Sequence, residues 1–378
     1  KVETLNMSRN DLGQTPESID QFAEGLRQLP YLKSLNLTDN NLGQGVNDFT
    51  QALTLLIKLT FGHPSLTFLD LSYNLLGGAD ELYTEEKAKN LQATATQLQA
   101  GKSSSITHLK LNHNLFDFAS SFSSHMLSMI IARLDQLKSL TLNHNFLGMY
   151  GSDGFVALSQ SLAFKKNLNE LLLDYNFIEL IDSNGTQALG RSLQTIDSLN
   201  VTSATFNMLG KHDPNGMVEL FSGLASQNHL SELTLKMNYI DLTDSVASRA
   251  LKNAMSSFRH LKVLDFSMNE LGRTDSLGTT AFADGFVYLQ ELQSLSLENN
   301  RIKIDSPDAF ESWKNLAGLK HLTHLNLAGN QIGLNSAEGG KAIAAGIKQM
   351  YQLTSLDLSG NALGSYSQTD IPLLADAI

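Results

Sequence analysis

The 378-residue sequence has no cysteine, one tryptophan and six prolines. Without cysteine there is no disulfide framework, no thiolate metal site and no cysteine nucleophile. Basic residues are scarce: 27 Lys and Arg stand against 38 Asp and Glu, leaving a net charge of −11. That balance argues against nucleic acid and against anionic membrane surfaces as partners, since both select basic patches. No apolar run approaches the roughly 20 residues of a membrane-spanning helix. No signal-peptide pattern opens the chain, and Lys1 runs directly into patterned sequence, as expected of a fragment with truncated termini. Apolar residues, by contrast, make up 42% of the chain, enough for a continuous buried spine.

Those apolar residues are arranged in an eleven-residue pattern, apolar-x-x-L-x-L-x-x-N-x-apolar, clearest from Leu168 to Ile178. Its asparagines are Asn10, Asn40, Asn74, Asn114, Asn145, Asn176, Asn207, Asn238, Asn269, Asn300, Asn330 and Asn361. Their spacings are 30, 34, 40, then 31 six times, then 30 and 31. Each L-x-L is a period-2 strand with both leucines pointing inward, and successive strands stack about 4.8 Å apart as a parallel sheet. The asparagine can donate and accept at once, so it can satisfy the backbone of its own turn and of the next repeat. Glycine follows the last apolar residue in eight copies (Gly13, Gly43, Gly77, Gly148, Gly210, Gly272, Gly333 and Gly364) and suits a tight loop conformation. The weakest copy is Leu199 to Leu209, where Thr202 and Ala204 replace the central leucines.

The rest of each period reads as helix. Thr15-Pro16-Glu17 and Ser306-Pro307-Asp308 read as N-caps with proline at the first helical position. Phe282, Phe286 and Leu289, then Phe310, Trp313 and Leu316, and also Val246, Ala250, Ala254 and Phe258, recur at helical spacing. Strand plus helix accounts for 31 residues. Narrow strands beside wider helices predict a curved α/β solenoid with a concave sheet and convex helices, one domain over 1–378 of about twelve repeats. The third repeat is longer, with its insertion in about 77–105, read as a lengthened helix with a polar exit.

The N-x-L-G consensus with a helix in every repeat resembles the ribonuclease-inhibitor-like subclass of leucine-rich repeats, over essentially the whole chain from Val2. Extracellular members close their ends with disulfide-stapled caps, so a cysteine-free chain of this type implies action in a reducing cytosol. The triplets at Asn6, Asn36, Asn184 and Asn200 accordingly read as chance rather than as glycosylation sites. Irregular repeat lengths without cysteine or caps are most similar to leucine-rich repeat effectors secreted by intracellular bacteria into host cells. That resemblance implies a monomeric, non-catalytic scaffold that binds a host protein. The same subclass includes the Ran GTPase-activating proteins, which implies the alternative of a regulatory protein using a loop arginine. Arg9 and Arg301 are the only arginines within the signature stretches, and neither sits in a motif of that family.

A binding face, the concave sheet with its loop edge, is readable from position. The residue before each asparagine runs Arg9, Asp39, Tyr73, His113, His144, Tyr175, Phe206, Met237, Met268, Asn299, Gly329, Gly360. The middle seven are aromatic, histidine or methionine, and the flanks are polar or small. A column facing only water would be polar throughout, so Tyr73, His113, His144, Tyr175, Phe206, Met237 and Met268 are the expected partner contacts. The residue after each asparagine runs through Leu75, Leu115, Phe146, Phe177, Met208 and Tyr239 before turning polar at Glu270 and Arg301. His108, His113, His144 and Asp174 lie on neighbouring strands, but without cysteine or a helical H-x-x-x-H they read as recognition-face residues rather than metal ligands. Asp70, Glu170, Asp174, Glu232, Asp265, Glu298 and Asp357 form no pair in an apolar pocket, and scattered charge on a solvated sheet is the expectation. No cofactor is implied.

Overall fold

The computed structural model describes residues 1–14, 16–43, 49–77, 104–117, 121–163, 165–243, 245–273, 277–365 and 369–378, together with Lys89, Ala93 and Thr96. Most of the 77–105 insertion, and the Thr15 cap, lie outside the described residues. The chain forms two compact units, Lys1–Ala188 and Leu189–Ile378.

Unit 1 carries β1 (Thr4–Asn6), β2 (Ser34–Asn36), β3 (Phe68–Asp70), β4 (His108–Lys110), β5 (Ser139–Thr141) and β6 (Glu170–Leu172). Its helices are α1 (Pro16–Arg27), α2 (Phe49–Gly62), α3 (Phe122–Ala132) and α4 (Asp153–Leu162); α5 (Asn184–Leu193) contains the boundary. Unit 2 carries β7 (Val201–Ser203), β8 (Glu232–Thr234), β9 (Val263–Asp265), β10 (Ser294–Ser296), β11 (His324–Asn326) and β12 (Ser355–Asp357). Its helices are α6 (Pro214–Leu224), α7 (Ser245–Met255), α8 (Leu277–Asp284), α9 (Pro307–Trp313), α10 (Glu338–Ile347) and α11 (Asp370–Ala377).

Within each unit the strands pair in parallel in chain order, leucine opposite leucine: Leu35, Leu69, Leu109, Leu140 and Leu171 in unit 1, and Leu233, Leu264, Leu295, Leu325 and Leu356 in unit 2. From Leu35 to Leu325 these side chains are at most 1% exposed. The second leucine of the pattern is buried too, and Phe266 takes its place in one repeat. At about 1.5–3 kcal/mol for each large apolar side chain buried, the leucine columns are the main stabilising term of each unit. The sheet and helices of this alternating α/β architecture are those of a leucine-rich-repeat solenoid.

The asparagine ladder forms as its chemistry requires. The Asn145 N–H donates to Asn176 Oδ1 at 2.9 Å, while Asn176 Nδ2 donates to the carbonyls of Leu142 and Leu173, both at 2.9 Å. The same pattern links Asn40 to Asn74, Asn74 to Asn114 and Asn114 to Asn145, and in unit 2 Asn207 to Asn238, Asn238 to Asn269 and Asn300 to Asn330. Each amide thus satisfies buried backbone in two repeats at once.

Three details differ from expectation. The glycine after the last apolar residue is needed for space more than for backbone freedom. Of the eight, only Gly210 and Gly364 have positive φ. At Gly13, Gly43, Gly77 and Gly148 a Cβ would come within 2.0 to 2.4 Å of a carbonyl oxygen in the following repeat. On α7 the face is rotated from that expected: Val246 is exposed, whereas Ala247, Leu251, Ala254 and Met255 are buried. Several of the scattered carboxylates also have structural work. Asp70, Asp265 and Asp357 each accept the backbone N–H two residues on, holding the chain as it leaves the strand. The Ser306 cap and the aromatic core follow expectation: Ser306 Oγ accepts from Ala309 N at 3.1 Å, and Phe282, Phe286 and Trp313 pack edge to face.

Candidate recognition face

The residue before each asparagine sits at the exit of the strand in the left-handed region, with φ between 55° and 60° from Arg9 through Asn299. The residue after it is left-handed as well, from Asp11 to Tyr239, at φ between 55° and 62°. This conformation suits glycine, asparagine and aspartate and disfavours bulky side chains by about 1–2 kcal/mol. Gly329 and Gly360 occupy the same position at φ +66°. Tyrosine, histidine, phenylalanine and methionine therefore stand where the backbone alone would select something small. Paired left-handed residues turn both side chains away from the core, onto the open edge beside the buried asparagine.

Of the seven expected contacts, four belong to unit 1. Tyr73, His113, His144 and Tyr175 stack ring on ring, with centroids 4.2, 4.1 and 4.3 Å apart and planes within 13° of parallel. Tyr73 is 50% exposed and the other three are half-buried. The parallel strands set this spacing, because residues in register repeat at the inter-strand distance. Each ring shields its neighbour's face, so the stack presents ring edges outward: two imidazole edges between two phenols. Burial lowers the pKa of His113, and His144 lowers it further. Burial also lowers that of His144, with Asp174 opposing. Both rings are thus neutral at neutral pH and stack without mutual repulsion. Phe146 and Phe177 of the following position stack as well, 5.8 Å apart.

The other three, Phe206, Met237 and Met268, belong to unit 2. There they line a groove of about 290 Å³ with Tyr239, Asn269, Glu270, Asn299 and Arg301. Phe206 and Met237 are half-buried, and Met268 and Tyr239 are exposed. Tyr239, Glu270 and Arg301 come from the position after the asparagine. The sequence placed them in a second column without joining them to the first; Tyr239 and Arg301 are left-handed at φ 59° and 56° whereas Glu270 is not, and the fold brings all three to the groove. Glu270 bridges two arginines, Arg301 Nη2 at 3.3 Å and Arg273 Nε at 3.4 Å.

The histidines and carboxylates form no metal centre among the described residues: no three of His, Asp or Glu converge at ligand distance. His108 Nδ1 instead lies 2.8 Å from Thr107 Oγ1. Among the described residues no helix is long and apolar enough to cross a membrane.

Family models described as leucine rich repeat match residues 274–332, and 28–44 with 353–365. Among curated proteins no sequence matches the chain. Among solved structures the chain is similar to the leucine-rich repeat-containing protein LegL7 of Legionella pneumophila, at 23% identity over 88% of this chain and 95% of that one, with a TM-score of 0.41. The recurring strand, asparagine turn and helix, together with family-model matches over these parts of the chain, give it the architecture of a leucine-rich-repeat solenoid.

Proposed function

We propose that the protein is a non-catalytic scaffold that docks a protein partner on the open strand-exit face. The ring stack Tyr73, His113, His144 and Tyr175 serves in unit 1, and Phe206, Met237 and Met268 serve in unit 2. The observation that carries this reading is the left-handed column itself. Seven large side chains are held outward at positions where glycine is the backbone's own preference, and none is sealed in the core. Local conformational cost retained at a partly exposed column points to a binding role. Aromatics bury about 150–250 Å² each, so the column supplies much of one side of a standard interface, about 800 Å².

The finer assignment follows from the resemblance in the sequence. A cysteine-free chain of ribonuclease-inhibitor-like repeats fits a bacterial effector, secreted into a host cell as a virulence factor, acting in its cytosol as a monomer on a host protein. The test is capture from eukaryotic cytosol by the wild type and by Tyr175→Glu combined with Phe206→Glu. A specific protein retained by the wild type and lost by the variant, at unchanged melting temperature, supports the reading. Equal retention by a folded variant refutes it.

A second reading, a GTPase-activating protein with a loop arginine, is favoured by one observation: Arg301 is exposed and held by Glu270. Stimulated GTP hydrolysis by a Ran-type GTPase, abolished by Arg301→Ala, would establish that activity in place of the scaffold.

A further inference from the structure

Resting on the scaffold reading, we propose that the unit 2 groove is an anchor pocket for a short acidic-hydrophobic segment of the partner. One large apolar side chain seats among Phe206, Met237, Tyr239 and Met268, and a carboxylate next to it in the partner's sequence binds Arg301.

Size decides the first half. About 290 Å³ lies at the lower edge of small-molecule pockets, which run from about 300 to 1,000 Å³. The groove suits one bulky side chain better than a cofactor or nucleotide. Its lining is chemically adaptable: two thioethers, one phenyl and one phenol whose hydroxyl can stay wet. Methionine reshapes around aromatic and branched side chains alike and makes favourable contacts with ring edges. Phe206, Met237, Tyr239 and Met268 are all left-handed, at φ 56°, 57°, 59° and 56°, so four adjoining positions carry the conformational cost of presenting these groups.

Charge decides the second half. Glu270 and Arg301 are the charged groups of the lining. Glu270 is largely occupied: both carboxylate oxygens meet arginines, and its side chain is 21% exposed. Arg273 in turn reaches Asp241 at 4.0 Å. Arg301 is 53% exposed and spends one terminal nitrogen on Glu270, which it shares with Arg273. A guanidinium has five N–H donors in a planar fork, so most of this one remains available for a carboxylate. The groove therefore offers an incoming chain a cation it can pair, while its anion is already shared between two cations. This preference runs against the chain's overall net charge of −11, which marks it as a local, specific feature rather than general attraction.

The test uses the whole chain labelled at the methionine methyl groups and three probe peptides, acetyl-Trp-Asp-amide, acetyl-Trp-Asn-amide and acetyl-Trp-Lys-amide. Met237→Leu and Met268→Leu assign the two groove resonances. We expect saturable shifts at Met237 and Met268, with the aspartyl peptide bound about threefold more tightly than the asparaginyl one, the scale of a solvent-exposed charge pair. The lysyl peptide should bind weakest, and Arg301→Gln should bring the three level. Unmoved groove resonances, equal binding of the three by the wild type, or a preference for lysine overturns the proposal. The probes read the groove alone. Silence there, beside capture that still depends on Tyr175 and Phe206, refutes the anchor and spares the scaffold reading. Capture indifferent to those substitutions refutes the scaffold reading itself.

Discussion

Replacing Asp117 with asparagine should stabilise the protein, and by an amount that depends on pH. Asp117 is 1% exposed, follows β4 at φ 64°, and holds the approach to α3: its N–H donates to Ser123 Oγ and its Oδ1 accepts from Ser124 N. Oδ2 has no hydrogen-bond partner, and Gly154 of α4 packs so closely that a Cβ there would lie 2.8 Å from it. Burial pushes the carboxyl up to about 7, against a smaller opposing effect of the bonds with Ser124. A carboxyl whose folded-state pKa is raised is held protonated by the fold. Its contribution is fully present below the unfolded value of 3.8 and is lost as pH rises through about 7. At about 1.4 kcal/mol per pH unit, that interval amounts to about 4 kcal/mol. The asparagine side chain carries no charge to bury, so Asp117→Asn should recover much of this, about 2–4 kcal/mol at pH 8, and little at pH 4. Urea denaturation of both proteins across that range gives the variant-minus-wild-type difference, in which other titrating groups cancel. The difference should grow with pH and level off above about 7. A difference independent of pH, or a variant less stable at pH 8, would refute the assignment of a buried, largely unpaired carboxyl.

Three further outcomes are expected. Asn176→Ala takes the acceptor from the buried Asn145 N–H and removes one donor each from the carbonyls of Leu142 and Leu173, the former still accepting from Asn145 Nδ2. It should cost about 1–3 kcal/mol in denaturant titration, and an unchanged midpoint would count against the ladder. Gly148→Ala would put a Cβ 2.4 Å from the Phe177 carbonyl oxygen, whereas Gly25 on α1 has open space around the same atom. The first should destabilise by about 1–3 kcal/mol and the second be neutral or slightly stabilising, a contrast that thermal melts can read directly. We also propose that 1–378 unfolds as one domain. Fluorescence of the single, buried Trp313, which reports unit 2, should then coincide with circular dichroism, which reports both units; two offset transitions would contradict this.

The repeat was legible because it is written as a period. Asn145 and Asn176 could be assigned to buried turns from their recurrence every 31 residues, and the same indexing singled out the column from Tyr73 to Met268. What a period cannot show is how neighbouring copies touch. Nothing in the sequence says that Tyr73, His113, His144 and Tyr175 stack with their edges outward, because that follows from the left-handed turn of each residue. Gly148 was legible as a glycine but not for its reason, the approach of the next repeat's carbonyl. The burial of Asp117 and the sharing of Glu270 between Arg273 and Arg301 depend on side chains brought together by the fold. On α7 an apolar series starting at Val246 fitted helical spacing as well as the true one starting at Ala247, since one step of rotation leaves several small residues on either face.

The most direct test of the recognition face is site-specific photo-crosslinking. A benzophenone side chain would be placed in turn at Tyr175, at Met268 and at Tyr351, the last being 83% exposed and outside the strand-exit column. Irradiation in the presence of the captured partner should give a crosslinked species from the Tyr175 and Met268 positions and none from Tyr351. Crosslinks from Tyr351 with none from the column would place the partner elsewhere and contradict the account.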